Sequence, residues 1–129
     1  MTQEKQEEQA VVARLLIFSG RPDPELALDD DAVNQLRERV QSTVNGEKSN
    51  PAPAGGLGYR GFLVQNLAKV SGLPAEFSVF RGVLSELSER TGSHWRDIGE
   101  TESWLLELAR GQGLGDALDA FGARPGQTS

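Results

Sequence analysis

The hydrophobic pattern begins with one nearly unbroken apolar run close to the start of the chain. Residues 11–18 are apolar except for Arg14 and are rich in β-branched side chains. This composition predicts a strand that is covered on both faces, and we expect it to be the central strand of a sheet. Residues 19–24 carry a glycine and two prolines, which prevent the run from continuing as a helix.

The next pattern has helical spacing. Val33, Leu36, Val40 and Val44 recur every three or four residues, which predicts a helix with one apolar face. Asp29 is the expected N-cap, and two further acids follow in the first turn, where the helix dipole favours negative charge. A run of three acids also suggests a calcium loop, but the alternating ligands and distal glutamate of an EF-hand are missing.

The remaining pattern alternates strand-like and helix-like segments. Short apolar runs containing aromatic residues predict two strands that pair antiparallel, and later periodic runs predict two helices. The expected segments are strands at 57–64 and 77–84, an exposed turn at 88–99 anchored by Trp95 and Ile98, a helix at 104–109 capped by Thr101, and a short helix at 115–122. Together these segments predict an α+β fold, with a short mixed or antiparallel sheet covered by helices.

The length of 129 residues fits one ordinary domain. Residues 1–9 and 123–129 are polar and lack apolar periodicity, so both are predicted to be disordered tails around a single domain at 10–122. Residues 46–56 are rich in Pro, Gly and polar side chains, and they predict a flexible loop within that domain.

Composition narrows the classes of function. The chain has no cysteine, so disulfides and thiolate chemistry are excluded. Its net charge of −6 disfavours binding to nucleic acid or to anionic membranes. No signal peptide is visible at the start, so a cytoplasmic protein is expected.

Few residues offer catalytic or metal chemistry. His94 is the only histidine, and with Asp97 and Glu100 it has a spacing that would suit metal ligands on a helix. Nearby glycines argue against a helix there, so we interpret His94 as an exposed loop residue and expect no metal site and no cofactor. Trp95 and Trp104 are open to two interpretations, as a binding surface or as core packing, and the helical phase of Trp104 favours packing.

Three arginines lie beside glycines at or near the predicted strands. Arg21 follows Gly20, Arg60 precedes Gly61, and Arg81 also precedes a glycine. If the strands are neighbours, the guanidinium groups converge at one edge of the sheet, where they suit a small anionic ligand such as a carboxylate or phosphate. The competing interpretation is that these arginines pair with nearby acids while the glycines serve bulges.

The elements Phe-Ser-Gly-Arg-Pro-Asp-Pro at 18–24 and Leu-Gly-Tyr-Arg-Gly-Phe at 57–62 carry a family resemblance. The chain resembles a family of small uncharacterised proteins that share these two elements. It departs from the family pattern at Asp23 and Glu25, where an asparagine and an aromatic residue are expected. The resemblance implies no activity.

The sequence contains no recognisable set of catalytic residues. We therefore expect a non-catalytic binding or accessory protein that acts through a protein partner. The alternative is a small-molecule enzyme or anion-binding protein that uses Arg21, Arg60 and Arg81 with Asp23 or Glu25 as acid or base.

Overall fold

A six-stranded antiparallel sheet organises the chain in the computed structural model, which describes residues 10–17, 24–51, 59–88 and 92–120. The strands run in the order β2-β1-β3-β4-β5-β6. The elements are β1 (Val11–Leu15), β2 (Glu25–Leu26), α1 (Asp30–Val44), β3 (Phe62–Asn66), β4 (Glu76–Phe80), β5 (Val83–Glu86), β6 (His94–Arg96), α2 (Thr101–Ala109), a π-helical segment (Arg110–Leu114) and α3 (Gly115–Ala120). The predicted α+β class with an antiparallel sheet is confirmed.

One face of the sheet, here called the inner face, forms the core with the helices. Strand residues alternate between the two faces, so Phe62 and Val64 of β3 point inward together with Phe77 and Val79 of β4. These four side chains are 0% exposed. The helices contribute buried residues to the same cluster, namely Val33, Leu36, Val40, Leu105, Ala109 and Leu118.

The opposite face, here called the outer face, carries the intervening residues of each strand. Its register forms rows across the sheet, since Leu63 faces Ser78, and Ser78 faces Ser85. The outer-face residues are Val12, Arg14, Glu25, Leu63, Gln65, Glu76, Ser78, Phe80, Val83, Ser85, His94 and Arg96. None of them belongs to the core cluster that the helices complete. The described helices therefore cover only one side of the sheet.

Helix α1 follows the predicted pattern closely. The carboxylate of Asp29 accepts a hydrogen bond from the N–H of Ala32 at 2.8 Å, which confirms the N-cap. Leu36 and Val40 are fully buried, and Val33 is 8% exposed. The periodicity therefore correctly predicted both the helix and its buried face.

Other segments of the chain cover both edges of the sheet. The N–H of Ser49 donates to the carbonyl of His94 at 2.9 Å, and the N–H of Arg96 donates to the carbonyl of Glu47 at 3.0 Å. At the β2 side, the side-chain amide of Gln112 makes two hydrogen bonds with the backbone of Ala27, at 3.0 and 2.9 Å. These contacts occupy strand edges that would otherwise offer unpaired backbone groups.

Several sequence predictions about the strands are wrong. Strand β1 is second in the sheet rather than central. The single strand predicted at 77–84 is a hairpin of β4 and β5. The exposed turn predicted at 88–99 contains β6, and Ile98 is 55% exposed rather than anchored inward.

The second helical region and the predicted loop also differ in detail from the expectations. Thr101 is the first residue of α2 and not its cap. The loop predicted at 46–56 includes the segment 47–49 that pairs with β6, while residues 52–58 lie outside the described ranges. The predicted tails at 1–9 and 123–129 also lie outside those ranges.

Candidate binding site

The turn between β4 and β5 presents Arg81 at one end of the sheet. Phe80 pairs with Val83, which leaves Arg81 and Gly82 as a two-residue turn. Their φ angles are 53° and 77°. Two positive φ values define a type I′ turn, where Asn and Gly are the favoured residues. An arginine in this conformation costs on the order of 1 kcal/mol, and such strain tends to collect at functional sites.

The first turn of α2 holds this hairpin turn in place. The N–H of Gly82 donates to Oε1 of Glu102 at 2.9 Å. The carbonyl of Gly82 accepts a hydrogen bond from the N–H of Asp97 at 2.9 Å. The other carboxylate oxygen of Glu102 accepts the hydroxyl of Tyr59 at 2.5 Å. The turn is therefore anchored through both polar groups of the Gly82 backbone.

At this end of the sheet, Tyr59 contacts one residue of the inner face and one of the outer face. Its ring makes edge contacts with Phe62 and Phe80, with centroids 6.3 and 5.7 Å away. Burial raises the pKa of the Tyr59 hydroxyl far above its usual value, and the charge and hydrogen bond of Glu102 raise it further. The hydroxyl therefore stays protonated and acts as a hydrogen-bond donor that holds Glu102.

Asp97 caps helix α2 from four residues before its start. Its two carboxylate oxygens accept the N–H groups of Thr101 at 2.9 Å and of Glu102 at 2.8 Å. Both acceptors satisfy amides that the helix itself cannot pair. Asp97 therefore has a structural role at this junction.

Gly99 fixes the same junction to α1. Its N–H donates to Oγ1 of Thr43 at 3.0 Å, and its carbonyl accepts from Arg39 at 2.7 Å. A Cβ at Gly99 would lie 2.3 Å from the carbonyl oxygen of Arg39. Only glycine allows this close approach of the two segments.

A groove of about 560 Å³ lies beside the hairpin turn, between β6 and the segment 47–49. We call it the Arg81 groove. It is lined by Glu47, Ser49, Arg81, Gly82, Val83, Arg96, Asp97 and Ile98. A neighbouring groove of about 410 Å³ shares Glu47, Ser49 and Arg96 with it and adds Lys48 and Asn50.

The two arginines of the Arg81 groove are only lightly engaged. Arg81 is exposed, and its guanidinium lies 5.2 Å from the centroid of the Phe80 ring. Nε of Arg96 lies 3.9 Å from Oε1 of Glu47, and these two side chains are 59% and 73% exposed. At that distance and exposure the ion pair contributes little. Most guanidinium donors of both residues thus have no acceptor among the described residues.

The structure places the predicted arginines as follows. Gly20 and Arg21 lie outside the described residues. Arg60 precedes β3, where its N–H donates to the carbonyl of Leu16 at 2.7 Å, and Arg81 follows β4, the antiparallel neighbour of β3. These two positions therefore lie at the same end of the sheet, while convergence of all three arginines stays a prediction.

The glycine predicted to approach a ligand has a packing role. Gly61 has a φ of 88°, and a Cβ there would lie 2.2 Å from the carbonyl oxygen of Val79. Glycine is therefore required by the neighbouring strand. The predicted acid Glu25 binds Arg14, with Oε2 of Glu25 3.1 Å from Nη2 of Arg14, so its described partner is neither Arg60 nor Arg81. Asp23 lies outside the described residues.

Arg96 is the groove residue that the sequence did not reveal. It faces Val83 across β5 and β6, and this register places it beside Arg81 and the segment 47–49. The tripeptide His-Trp-Arg gives little strand signal by itself. Its place in the groove depends on pairing with residues 47–49, which are far away in sequence.

His94 lies in β6 and not in an exposed loop as predicted. Its Nδ1 is 2.8 Å from the hydroxyl oxygen of Ser85 on the outer face. Within the described ranges, no group of three His, Asp or Glu side chains is placed to hold a metal ion. Trp95 and Trp104 are half-buried against the core, as the packing interpretation predicted. Lys48 lies 5.2 Å from the centroid of the Trp95 ring.

Comparisons with protein-family models, with curated proteins and with solved structures gave no match. None of the helices within the described ranges combines the length and the hydropathy that a membrane span requires.

Proposed function

We propose that this chain is a non-catalytic binding protein that engages a protein partner through the outer face of its sheet. The observation that carries the proposal is the one-sided core. Helices α1 and α2 pack on the inner face. The outer-face side chains take no part in the core cluster, and of these Val12 and Ser85 are buried, at 7% and 9% exposure. A sheet face with apolar side chains is commonly buried against a second layer.

The outer face has the anatomy of a protein interface. Leu63, Phe80 and Val83 form a half-buried apolar centre. Exposed ion pairs flank this centre, with Arg14 and Glu25 on one side and the pair of Arg96 and Glu47 on the other. Interfaces between proteins typically combine an apolar, aromatic centre with a polar rim.

The size of the face also suits a protein partner. Strands spaced about 4.8 Å apart, with residues rising about 3.3 Å each, give this sheet a flat face of roughly 380 Å² before side-chain relief is counted. A standard interface buries about 800 Å² on each partner, relief included. The face is much larger than a small-molecule ligand needs, and the expected occupant is a different protein with an apolar patch.

Photo-crosslinking in cells tests this proposal. A photo-crosslinking amino acid replaces Ser78 in the middle of the outer face, and the same amino acid replaces the exposed Gln35 of α1 as the control. We expect position 78, and not position 35, to crosslink one specific protein. Crosslinks only to a second copy of this chain, or equal crosslinks from both positions, would contradict the proposal.

Purified components then give the affinity. The protein crosslinked at position 78 is titrated into the wild-type chain and into Leu63→Glu, and the heat of binding is measured. Placing a charge in the apolar centre should weaken binding by about tenfold or more, because the carboxylate would be buried without a partner. Equal affinity for both chains would exclude the outer face.

The alternative function is a small-molecule enzyme or anion-binding protein that uses the predicted arginines with Asp23 or Glu25. Among the described residues Glu25 pairs with Arg14 on the outer face, so one of the two candidate acids is engaged by an arginine other than the predicted ones. We therefore favour protein binding over this alternative.

A further inference from the structure

We propose that the Arg81 groove is a binding site for a carboxylate that carries an apolar group, with Arg81 and Arg96 as the two residues that bind the carboxylate oxygens. The groove shares Glu47, Val83 and Arg96 with the protein interface proposed above, but binding of a carboxylate there can be tested with a small molecule alone. Three features of the groove support this site. They are the conformation of Arg81, the loose pairing of Arg96 and the residues that form the groove walls.

Position 81 carries a residue that is unusual for its backbone conformation. The φ of 53° at Arg81 belongs to a turn in which Asn or Gly would be unstrained. No described hydrogen bond or ion pair of the Arg81 side chain offsets this backbone strain. Its described contact is with the Phe80 ring. A strained, exposed arginine beside a groove is consistent with a side chain kept for a ligand.

The backbone next to Arg81 is held firmly in place. The Gly82 backbone is held by Glu102 through its N–H and by Asp97 through its carbonyl. The turn cannot move without breaking these two hydrogen bonds. Arg81 is thus displayed from a fixed position, which lowers the ordering cost that a ligand would meet.

Arg96 is the second arginine of the groove and is only loosely paired. It extends from β6 into the same groove, and its described ionic partner, Glu47, lies at 3.9 Å. This distance is too long for a charge-assisted hydrogen bond, which is about 2.7–2.9 Å between nitrogen and oxygen. A ligand carboxylate can therefore take the Arg96 donors without displacing a strong interaction.

The walls of the groove select the type of anion. Glu47 and Asp97 also line it, so their negative charges balance those of the two arginines. A dianionic phosphate would meet more repulsion from these acids than a monoanionic carboxylate, whose planar oxygens also match the guanidinium fork. Val83 and the 55% exposed Ile98 complete the lining and offer apolar contact to the body of the ligand.

The test is an NMR titration of the ¹⁵N-labelled protein with 3-methylbutanoate, a carboxylate with a small branched apolar group. We expect saturable shifts in the backbone signals of residues 81–83 and 96–98. Two comparison ligands define the chemistry. The neutral 3-methylbutanol lacks the charge, and inorganic phosphate lacks the apolar group. Both should bind at least about tenfold more weakly.

Three variants assign the site. Arg81→Asn suits the turn and removes the guanidinium, while Arg96→Gln removes the second one. Each should weaken binding of 3-methylbutanoate by about tenfold or more. Arg37→Gln on α1 is the matched control and should bind like the wild type. Because Arg81→Asn fits the backbone, loss of binding there cannot be attributed to misfolding, and an unchanged spectrum away from the turn verifies this.

Four outcomes would overturn the proposal. The first is the absence of any saturable shift with 3-methylbutanoate, and the second is an affinity that is unchanged in both Arg81→Asn and Arg96→Gln. Equal affinity for 3-methylbutanol would show that charge plays no part, and equal affinity for phosphate would show that the groove binds anions without preferring carboxylates. None of these results bears on the crosslinking test of the outer face, so the two proposals fail separately.

Discussion

At the scale of single residues, Tyr59 illustrates how a buried hydrogen bond controls ionisation. Its hydroxyl donates to Glu102, and both burial and that carboxylate raise its pKa. Removing its proton would leave two negative charges side by side in a poorly hydrated position. The same arrangement positions Glu102, which in turn holds the Gly82 turn.

Alkaline titration tests this arrangement directly. Tyr59 is the chain's one tyrosine, so phenolate absorbance reports on that group alone. The unfolded chain should form phenolate near the ordinary pKa of about 10, whereas the folded chain should not until it unfolds. Phenolate that appears in the still-folded protein near pH ~10 would show that the hydroxyl is not buried against Glu102.

The pH dependence of stability has a definite sign. Because the folded pKa of Tyr59 is raised, its contribution is complete below about pH 10 and is lost as the pH rises further, when only the unfolded state releases the proton. Tyr59→Phe should lower the free energy of unfolding by about 1–3 kcal/mol at neutral pH, since Glu102 loses a buried donor. Urea unfolding should show this difference shrinking above about pH 10, and a constant difference would contradict it.

The strained backbone of Arg81 also predicts how a substitution there changes the free energy of unfolding. Arg81→Asn should raise the free energy of unfolding by about 0.5–1 kcal/mol, because asparagine tolerates the positive φ better than arginine. Gly82→Ala is the opposing control. No atom lies within 4 Å of a Cβ at Gly82, so its expected loss of about 1 kcal/mol would come from the backbone alone. If Arg81→Asn is destabilising in urea unfolding, the side chain makes contacts that outweigh the strain.

At the scale of secondary structure elements, capping distinguishes the two main helices. Asp29 satisfies one amide of α1, whereas Asp97 satisfies two amides of α2. Asp29→Ala should therefore cost about 1 kcal/mol, and Asp97→Ala about 2 kcal/mol. Chemical unfolding of both variants measures this, and equal losses would show that the second hydrogen bond of Asp97 contributes nothing.

The elements also show what the sequence could and could not predict. Helix α1 was predictable because its cap and its apolar face lie within one local stretch. The β4–β5 hairpin was missed because Arg-Gly is not a usual type I′ turn sequence. Strand β6 was missed because His94–Arg96 owes its strand structure to pairing with β5 and with residues 47–49. Arg96 was missed as a site residue for the same reason.

At the scale of the whole molecule, the sheet has two faces with different roles. The inner face joins α1 and α2 in one core, and the outer face carries Leu63, Phe80 and Val83 outside it. Adjacent residues of one strand therefore belong to different environments. Phe62 is 0% exposed on the inner face, and Leu63, the next residue, is half-buried on the outer face.

Comparing the stabilities of Phe62→Ala and Leu63→Ala tests this difference between the two faces. Phe62→Ala should lower the free energy of unfolding by about 3–5 kcal/mol, because it opens a cavity in the core. Leu63→Ala should cost about 1 kcal/mol or less, because a partly solvated side chain leaves little cavity behind. Thermal and urea unfolding measure both losses. If the two were equal, the outer face would be as tightly packed as the core, and it could not offer Leu63 to a partner protein.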